Sequence, residues 1–180
     1  ARSIKVMPVT LGVKDIIRSI TMLPGILSSG VFGTGFYVRG GSADQNLILI
    51  EEVPIFNSSH LFGLTSIVNP EGIANVTLLK AGIPARYGER SSSVMDIRLG
   101  SNNDDKAKVR GGIGLINSRI SADLPLSKKV DLYAGGRTSY SNWLLHKMPD
   151  LDLMNSTAGF YDVNGLLTYT LNSKNKISLF

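Results

Sequence analysis

From Tyr161 to Leu171 the chain alternates. Tyr161, Val163, Leu167, Tyr169 and Leu171 stand at odd positions, with Asp162, Asn164, Thr168 and Thr170 between them. Successive side chains of a strand point to opposite faces, so this period of two specifies a long strand with one apolar and one polar face. The same grammar runs from Val130, where Val130, Leu132, Ala134 and Tyr140 are apolar or small at even positions. Asp131, Arg137, Ser139 and Ser141 are polar at odd ones, with Tyr133 the exception. Ile177 and Leu179 open another run after the turn Asn172-Ser173-Lys174-Asn175.

Alternating runs of ~10 residues with aromatics near their ends fit a transmembrane β-barrel. A soluble antiparallel sheet with one wet face has the same period. Length favours the barrel, because ordinary strands average ~5–6 residues. Between Val109 and Leu126 the parity reverses. Val109, Ile113 and Leu115 are odd, whereas Ile120, Ala122, Leu124 and Leu126 are even. A one-residue slip exchanges the faces, so a bulge or tight turn is expected near residues 116–118. The chain stops inside an alternating run and opens without Met or an apolar leader, so the expectation is a piece of a longer protein.

Residues 1–103 follow a different grammar, that of a small mixed domain. Val13, Ile16, Ile17 and Ile20 predict a short amphipathic helix over 13–22, stopped by Pro24-Gly25. Strands are expected at 36–39, 47–50, 53–56, 76–80 and 94–99, with a helical turn opening at Pro70. The fold class expected is therefore α+β: a small mixed domain over 1–103, then antiparallel barrel strands over 104–180.

Composition narrows the chemistry. The net charge of +5 raises nucleic acid, but the basic residues are dispersed and no basic stripe carries interleaved aromatics. The absence of cysteine rules out disulfides and thiolate metal sites. The two histidines, His60 and His146, have no acid or nucleophile placed beside them by sequence. Gly30 to Gly35 lacks the spacing of a phosphate loop. Asp150-Leu151-Asp152 with Asn155 lacks the glycine and closing glutamate of an EF-hand. No catalytic residue, cofactor or metal is expected. Two other classes stay open: a soluble β-rich binding or adhesion domain, and a glycan hydrolase, which would need paired carboxylates on strand ends.

Five phrases occur in order. They are Phe36-Tyr37-Val38-Arg39-Gly40, Asn46-Leu47-Ile48-Leu49-Ile50-Glu51-Glu52-Val53-Pro54, Asn69-Pro70-Glu71-Gly72-Ile73-Ala74-Asn75-Val76, Leu79-Lys80-Ala81-Gly82-Ile83-Pro84-Ala85-Arg86-Tyr87-Gly88, and Ser91-Ser92-Ser93-Val94-Met95-Asp96-Ile97. Together with Leu23-Pro24-Gly25 they resemble the plug of TonB-dependent outer-membrane receptors. Asn57-Ser58-Ser59-His60-Leu61-Phe62-Gly63 resembles the branch with an additional carboxypeptidase-regulatory-like domain before the plug.

The resemblance implies an outer-membrane transporter of a Gram-negative bacterium, importing a bulky nutrient such as a siderophore, cobalamin, glycan or peptide. Its implied partners are the TonB energising complex, whose contact segment is not recognised in this chain, and the receptor's own barrel, whose lumen the plug fills. It also implies apical ligand contacts at Asn57, Ser58, Ser59, His60 and Phe62, and a structural interlock at Arg39, Gly40, Glu51, Glu52, Arg86, Tyr87, Gly88 and Asp96. Arg39 is expected to turn toward Glu51, Glu52, Glu71 or Asp96. Where the family often has Asp-Gly, this chain has Glu51-Glu52. A two-residue hairpin favours Gly or Asn, so either the turn is of another type or Glu52 faces an arginine.

Overall fold

The computed structural model describes residues 9–10, 13–28, 35–60, 65–88, 90–100, 106–147, 155 and 157–180. The helix expected over 13–22 is shorter, because Val13–Lys14 (β2) pairs with Val9–Thr10 (β1) instead of entering it. Asp15 then caps α1 (Ile16–Ile20), its Oδ1 accepting from the backbone of Ile17 at 2.8 Å and Arg18 at 3.1 Å. This satisfies donors that the first helical turn leaves free. The second carboxylate oxygen accepts from Ser66 N at 2.7 Å, so the cap also fixes a distant short strand. Ile16 and Ile20 are fully buried beneath it.

Beyond the Pro24-Gly25 stop, β3 (Ile26–Ser28) pairs antiparallel with β4 (Phe36–Val38). The run at Leu47–Ile50 is apolar at every position and needs cover on both faces. It forms β5 (Asn46–Ile50), which turns back through β6 (Val53–Pro54). The small ladder of β7 (Ser59–His60) with β8 (Thr65–Ser66) follows. Pro70–Gly72 makes a single 3-10 turn capped by the Asn69 side chain. The next strand begins three residues earlier than expected, as β9 (Ile73–Leu79), and β10 (Ser93–Leu99) closes the sheet. β10 lies parallel to β5 and antiparallel to β9, giving the order β6-β5-β10-β9.

Val94, Met95 and Ile97 on β10 are completely buried, as a central strand requires. Buried Asn46 joins three elements. Its amide donates to Phe36 O at 2.7 Å, and its carbonyl oxygen accepts from Ser93 Oγ at 2.6 Å. Ser92 Oγ donates to Val38 O at 2.9 Å. A Cβ on Gly41 would run into the Ser92 side chain, so glycine there permits the close approach.

Contacts divide the chain into two compact units, one containing Lys14–Leu99 and the other Val9–Val13 with Gly100–Phe180. The second unit is an antiparallel meander of β11 (Lys108–Ile113), β12 (Asn117–Ser127), β13 (Val130–Ser139), β14 (Tyr161–Thr170) and β15 (Lys176–Leu179). The expected parity break is a tight hairpin turn between β11 and β12, its centre slightly earlier than residues 116–118. Gly114 N donates to Asn117 O at 2.8 Å, and the turn supplies one further strand ahead of the long ones. Tyr140 Oη donates to Gly114 O at 2.5 Å, and Trp143 Nε1, on α2 (Asn142–Leu145), donates to Leu115 O at 3.1 Å. These two aromatics hold the turn from the β13–β14 connection.

One end of this meander thus carries the β11–β12 turn and the long connection over residues 140–160. At the opposite end the hairpin connections among the described residues are the tight turns at Lys128-Lys129 and Asn172–Asn175.

Asp15→Ala should cost about 2 kcal/mol, a lost cap plus an unpaired buried amide. Asp15→Asn should cost less. Chemical denaturation with hydrogen exchange at Ser66 checks it; unchanged exchange at Ser66 would contradict the link.

Candidate functional site

The two central residues of the β5–β6 hairpin are Glu51 and Glu52, with φ of 49° and 69°. Both positions are left-handed, the geometry of a type I′ turn. Of the two alternatives the second holds: the turn keeps the favoured type, and Glu52 faces an arginine. Each left-handed non-glycine residue costs about 1–2 kcal/mol. Side-chain bonds offset that cost. Glu51 Oε1 accepts from Leu99 N at 2.5 Å. Arg98 reaches Glu52 at 2.8 Å, Asp96 at 3.1 Å and Glu51 at 3.6 Å. Hydrogen bonding to Arg98, with the charge of the same guanidinium, holds the Glu52 carboxyl below its ordinary 4.5.

Arg98 is thus the cation that gathers Glu51, Glu52 and Asp96. Arg39, expected in that role, is exposed at φ 51° in the turn Val38–Gly41 and makes no ion pair among the described residues. The following Gly40 has φ 81°, as a two-residue left-handed turn demands. Arg98 escaped the sequence reading, although its i, i+2 spacing from Asp96 on a strand already put both on one face.

Arg86 lies over the Tyr87 ring at 4.7 Å and donates to its hydroxyl at 2.9 Å. Arg86, Tyr87 and Gly88 line one groove of about 520 Å³ with Glu52, Arg98 and Leu49. The expected interlock residues therefore fall into two places: most around this groove and the carboxylate cluster, and Arg39 with Gly40 in a separate turn. Gly88 shows no positive φ, in contrast to Gly82 at 62°.

A second groove, of about 240 Å³, is lined by Asn57 and Ser58 together with Phe56, Asp44, Asn46 and Arg90. Phe56, missed by the sequence reading, is 82% exposed. An apolar ring that no packing contact explains was the signal available. Ser59 is buried in β7 and His60 is half-buried beside it, neither in that groove. Phe62 lies outside the described residues, as do Gly30 and Asp150-Leu151-Asp152. No cluster of metal-ligating side chains occurs among the described residues.

The faces of the long strands are inverted relative to those of a water-soluble sheet. Ile113, Ile120, Val163, Leu167, Ile177 and Leu179 are exposed. The opposite face buries Ser121, Asp123, Tyr133 and Arg137. On that face Arg110 pairs with Asp123, and Arg137 pairs with Asp162 at 2.6 Å while lying over the Phe160 ring at 4.9 Å. Cross-strand partners keep the sorting, with Leu124 opposite Leu132 and Leu132 opposite Leu167. Tyr161 is exposed at one end of the apolar band and Tyr169 at the other. An apolar outer band bounded by aromatics is what a bilayer-spanning strand presents. A soluble sheet would bury this band instead. No helix among the described residues is long and apolar enough to cross a membrane.

Residues 6–94 match the family model of the TonB-dependent receptor plug domain. The chain carries a TonB-dependent receptor plug. The family is one of transport receptors rather than enzymes, and its place is the outer membrane of Gram-negative bacteria. Among solved structures, the fold is similar to a siderophore receptor, PirA, from Pseudomonas aeruginosa (TM-score 0.57, 18% identity, 88% of this chain and 29% of that one). It is also similar to a mutant ferric enterobactin receptor, PfeA, from the same organism (TM-score 0.59, 18% identity, 91% and 29%). PirA from Acinetobacter baumannii gives a TM-score of 0.58 at 20% identity, over 88% and 27%. The chain spans less than a third of the length of these receptors. No curated protein matches it.

Glu52 has the depressed-acid sign: its stabilising pairing with Arg98 is present above the unfolded value near 4.5 and is lost as pH falls through the lower folded value. Local protection of the β5–β6 hairpin should fall with acid over that window, and Arg98→Gln should flatten the dependence. Glu51→Ala should cost about 1–2 kcal/mol, because the Leu99 amide loses its partner. Glu52→Gly should leave stability nearly unchanged, since relieved φ strain offsets an exposed pair. Hydrogen exchange against pH reads all three variants, and equal costs at the two glutamates would refute the division of roles.

Proposed function

We propose that the chain is the gating part of a TonB-dependent outer-membrane transporter that imports a bulky nutrient. Residues 1–103 act as the plug and 104–180 open the barrel wall. The observation that carries the reading is the coexistence of a plug domain with strands whose apolar face is turned to the outside. No bond is made or broken in this role. Ligand binding shifts the plug between two arrangements, and work delivered through the TonB energising complex completes the displacement.

The proposed ligand contacts are Asn57 and Ser58, which supply amide and hydroxyl groups beside the exposed ring of Phe56. Ser59, His60 and Phe62 complete the candidate segment. The interlock of Glu51, Glu52 and Asp96 on Arg98, with Arg86, Tyr87 and Gly88 beside it, holds the resting plug together; Arg39 and Gly40 shape its neighbouring turn. The neighbours in fold are receptors for siderophores by name, which makes a ferric siderophore the first ligand class to test. Cobalamin, glycan and peptide ligands use the same kind of gate.

The intact receptor should take up its ligand only in cells with a working TonB complex, and Phe56→Ala with Asn57→Ala should weaken binding about tenfold while leaving the receptor in the outer membrane. Ligand depletion assays in paired strains check this. Uptake independent of TonB would reject the transport reading. Val163→Arg on the outward face should cost about 2–4 kcal/mol of assembly, read as loss of the heat-modifiable folded band. Asn164→Arg, on the other face, should assemble.

A further inference from the structure

The two tight turns at one end of the meander carry exposed cations at the edge of an apolar surface. Lys128 and Lys129 form the β12–β13 turn, and Lys174 lies in the β14–β15 turn. The turns are neighbours, since Thr170 N donates to Lys129 O at 2.8 Å. Both are held by their own polar groups. Lys129 N donates to Ser127 Oγ at 3.2 Å, while Asn172 Oδ1 accepts from the backbones of Lys174 at 3.0 Å and Asn175 at 2.9 Å. The three ammonium groups are therefore mounted on pinned backbone.

None of the three lysines pairs with a carboxylate among the described residues. The nearest acid in sequence, Asp131, has the parity of buried Tyr133 and Arg137, the opposite face of β13. On the outward face Tyr169 and Leu126 stand at this end of the apolar band. Lysine stems lie along apolar surface while their heads reach for charge. A tyrosine at the same level marks a boundary between apolar and polar surroundings.

We propose that this end of the sheet binds anionic glycerophospholipid headgroups of the periplasmic leaflet. The inference rests on the membrane reading above. Barrel turns on the periplasmic side are short and extracellular loops are long, and the hairpin connections at this end are tight turns. Phosphate is the charge that three ammonium groups without a carboxylate partner among the described residues complement, and acyl chains cover the apolar band next to them. A lipid A phosphate has similar chemistry but belongs to the opposite leaflet, so the surface is assigned to the phospholipid.

The test uses the intact receptor extracted from outer membranes into mixed micelles of phosphatidylglycerol and phosphatidylethanolamine, with bound lipids counted by native mass spectrometry. Wild type should retain phosphatidylglycerol in preference. The triple variant K128Q/K129Q/K174Q should weaken that preference by roughly a hundredfold. K128R/K129R/K174R, which keeps the charge, should retain it. Equal retention of both lipids by wild type, or an unchanged preference in the glutamine variant, would overturn the proposal. So would lipid A displacing phosphatidylglycerol from these lysines. The membrane reading fails separately, if Val163→Arg assembles as well as wild type.

Discussion

A β-strand offers two faces and assigns its side chains to them strictly in turn. Everything in the second unit depends on how that constraint meets the surroundings. With apolar residues at the outward parity, the sheet is stable only where water is absent from that side. Its buried side must then carry the polar groups, and the charged ones must be paired. Arg137 with Asp162 and Arg110 with Asp123 meet that need across adjacent strands. A buried charge without its partner would be far more costly than the pair is valuable. The inverted sheet and its polar ladders are therefore one solution, and a membrane is the environment that makes it reasonable.

The plug solves the opposite problem with the same rules. Its central strands β5 and β10 are covered on both faces, so their composition is continuous rather than alternating. Polar groups enter that core where they tie segments together, as Asn46 ties β4, β5 and β10. At the hairpin after β5, two glutamates occupy backbone positions that suit glycine or asparagine. The stabilisation comes from Arg98 and the Leu99 amide, both on the parallel neighbour β10. Local backbone preference is thereby exchanged for a link between strands. Such links reside in side chains able to re-pair, which is what the proposed gating role would require.

The same exchange appears at Asp15. One carboxylate caps a five-residue helix too short to be stable alone and fixes Ser66. The helix persists because its apolar side packs and its cap is anchored elsewhere. The two grooves combine residues of the sheet strands with residues of the turns and loops beside them. Phe56 and Asn57 in one, and Arg86 and Tyr87 in the other, lie where the chain leaves the sheet. Loops carry variable chemistry on a fixed scaffold.

What the sequence by itself determined is local. The period of two in residues 130–171 required long two-faced strands. The parity reversal required a bulge or tight turn near residues 116–118, and the run at Leu47–Ile50 required a strand. The motif series from Phe36 to Ile97 carried the plug family. The tertiary structure decided the partners. Arg98 rather than Arg39 collects the carboxylates, although Glu52 lies 46 residues away from it in sequence, and Asp15 reaches Ser66 across 51. Such choices follow from strand register, and register is fixed only when distant segments pack. The helix lost Val13 for the same reason, to a strand pairing that its own periodicity could not reveal. Nor does alternation say which face meets water. That needed the burial of Arg137 and the exposure of Val163, set by neighbouring strands and not by the spacing of residues along one.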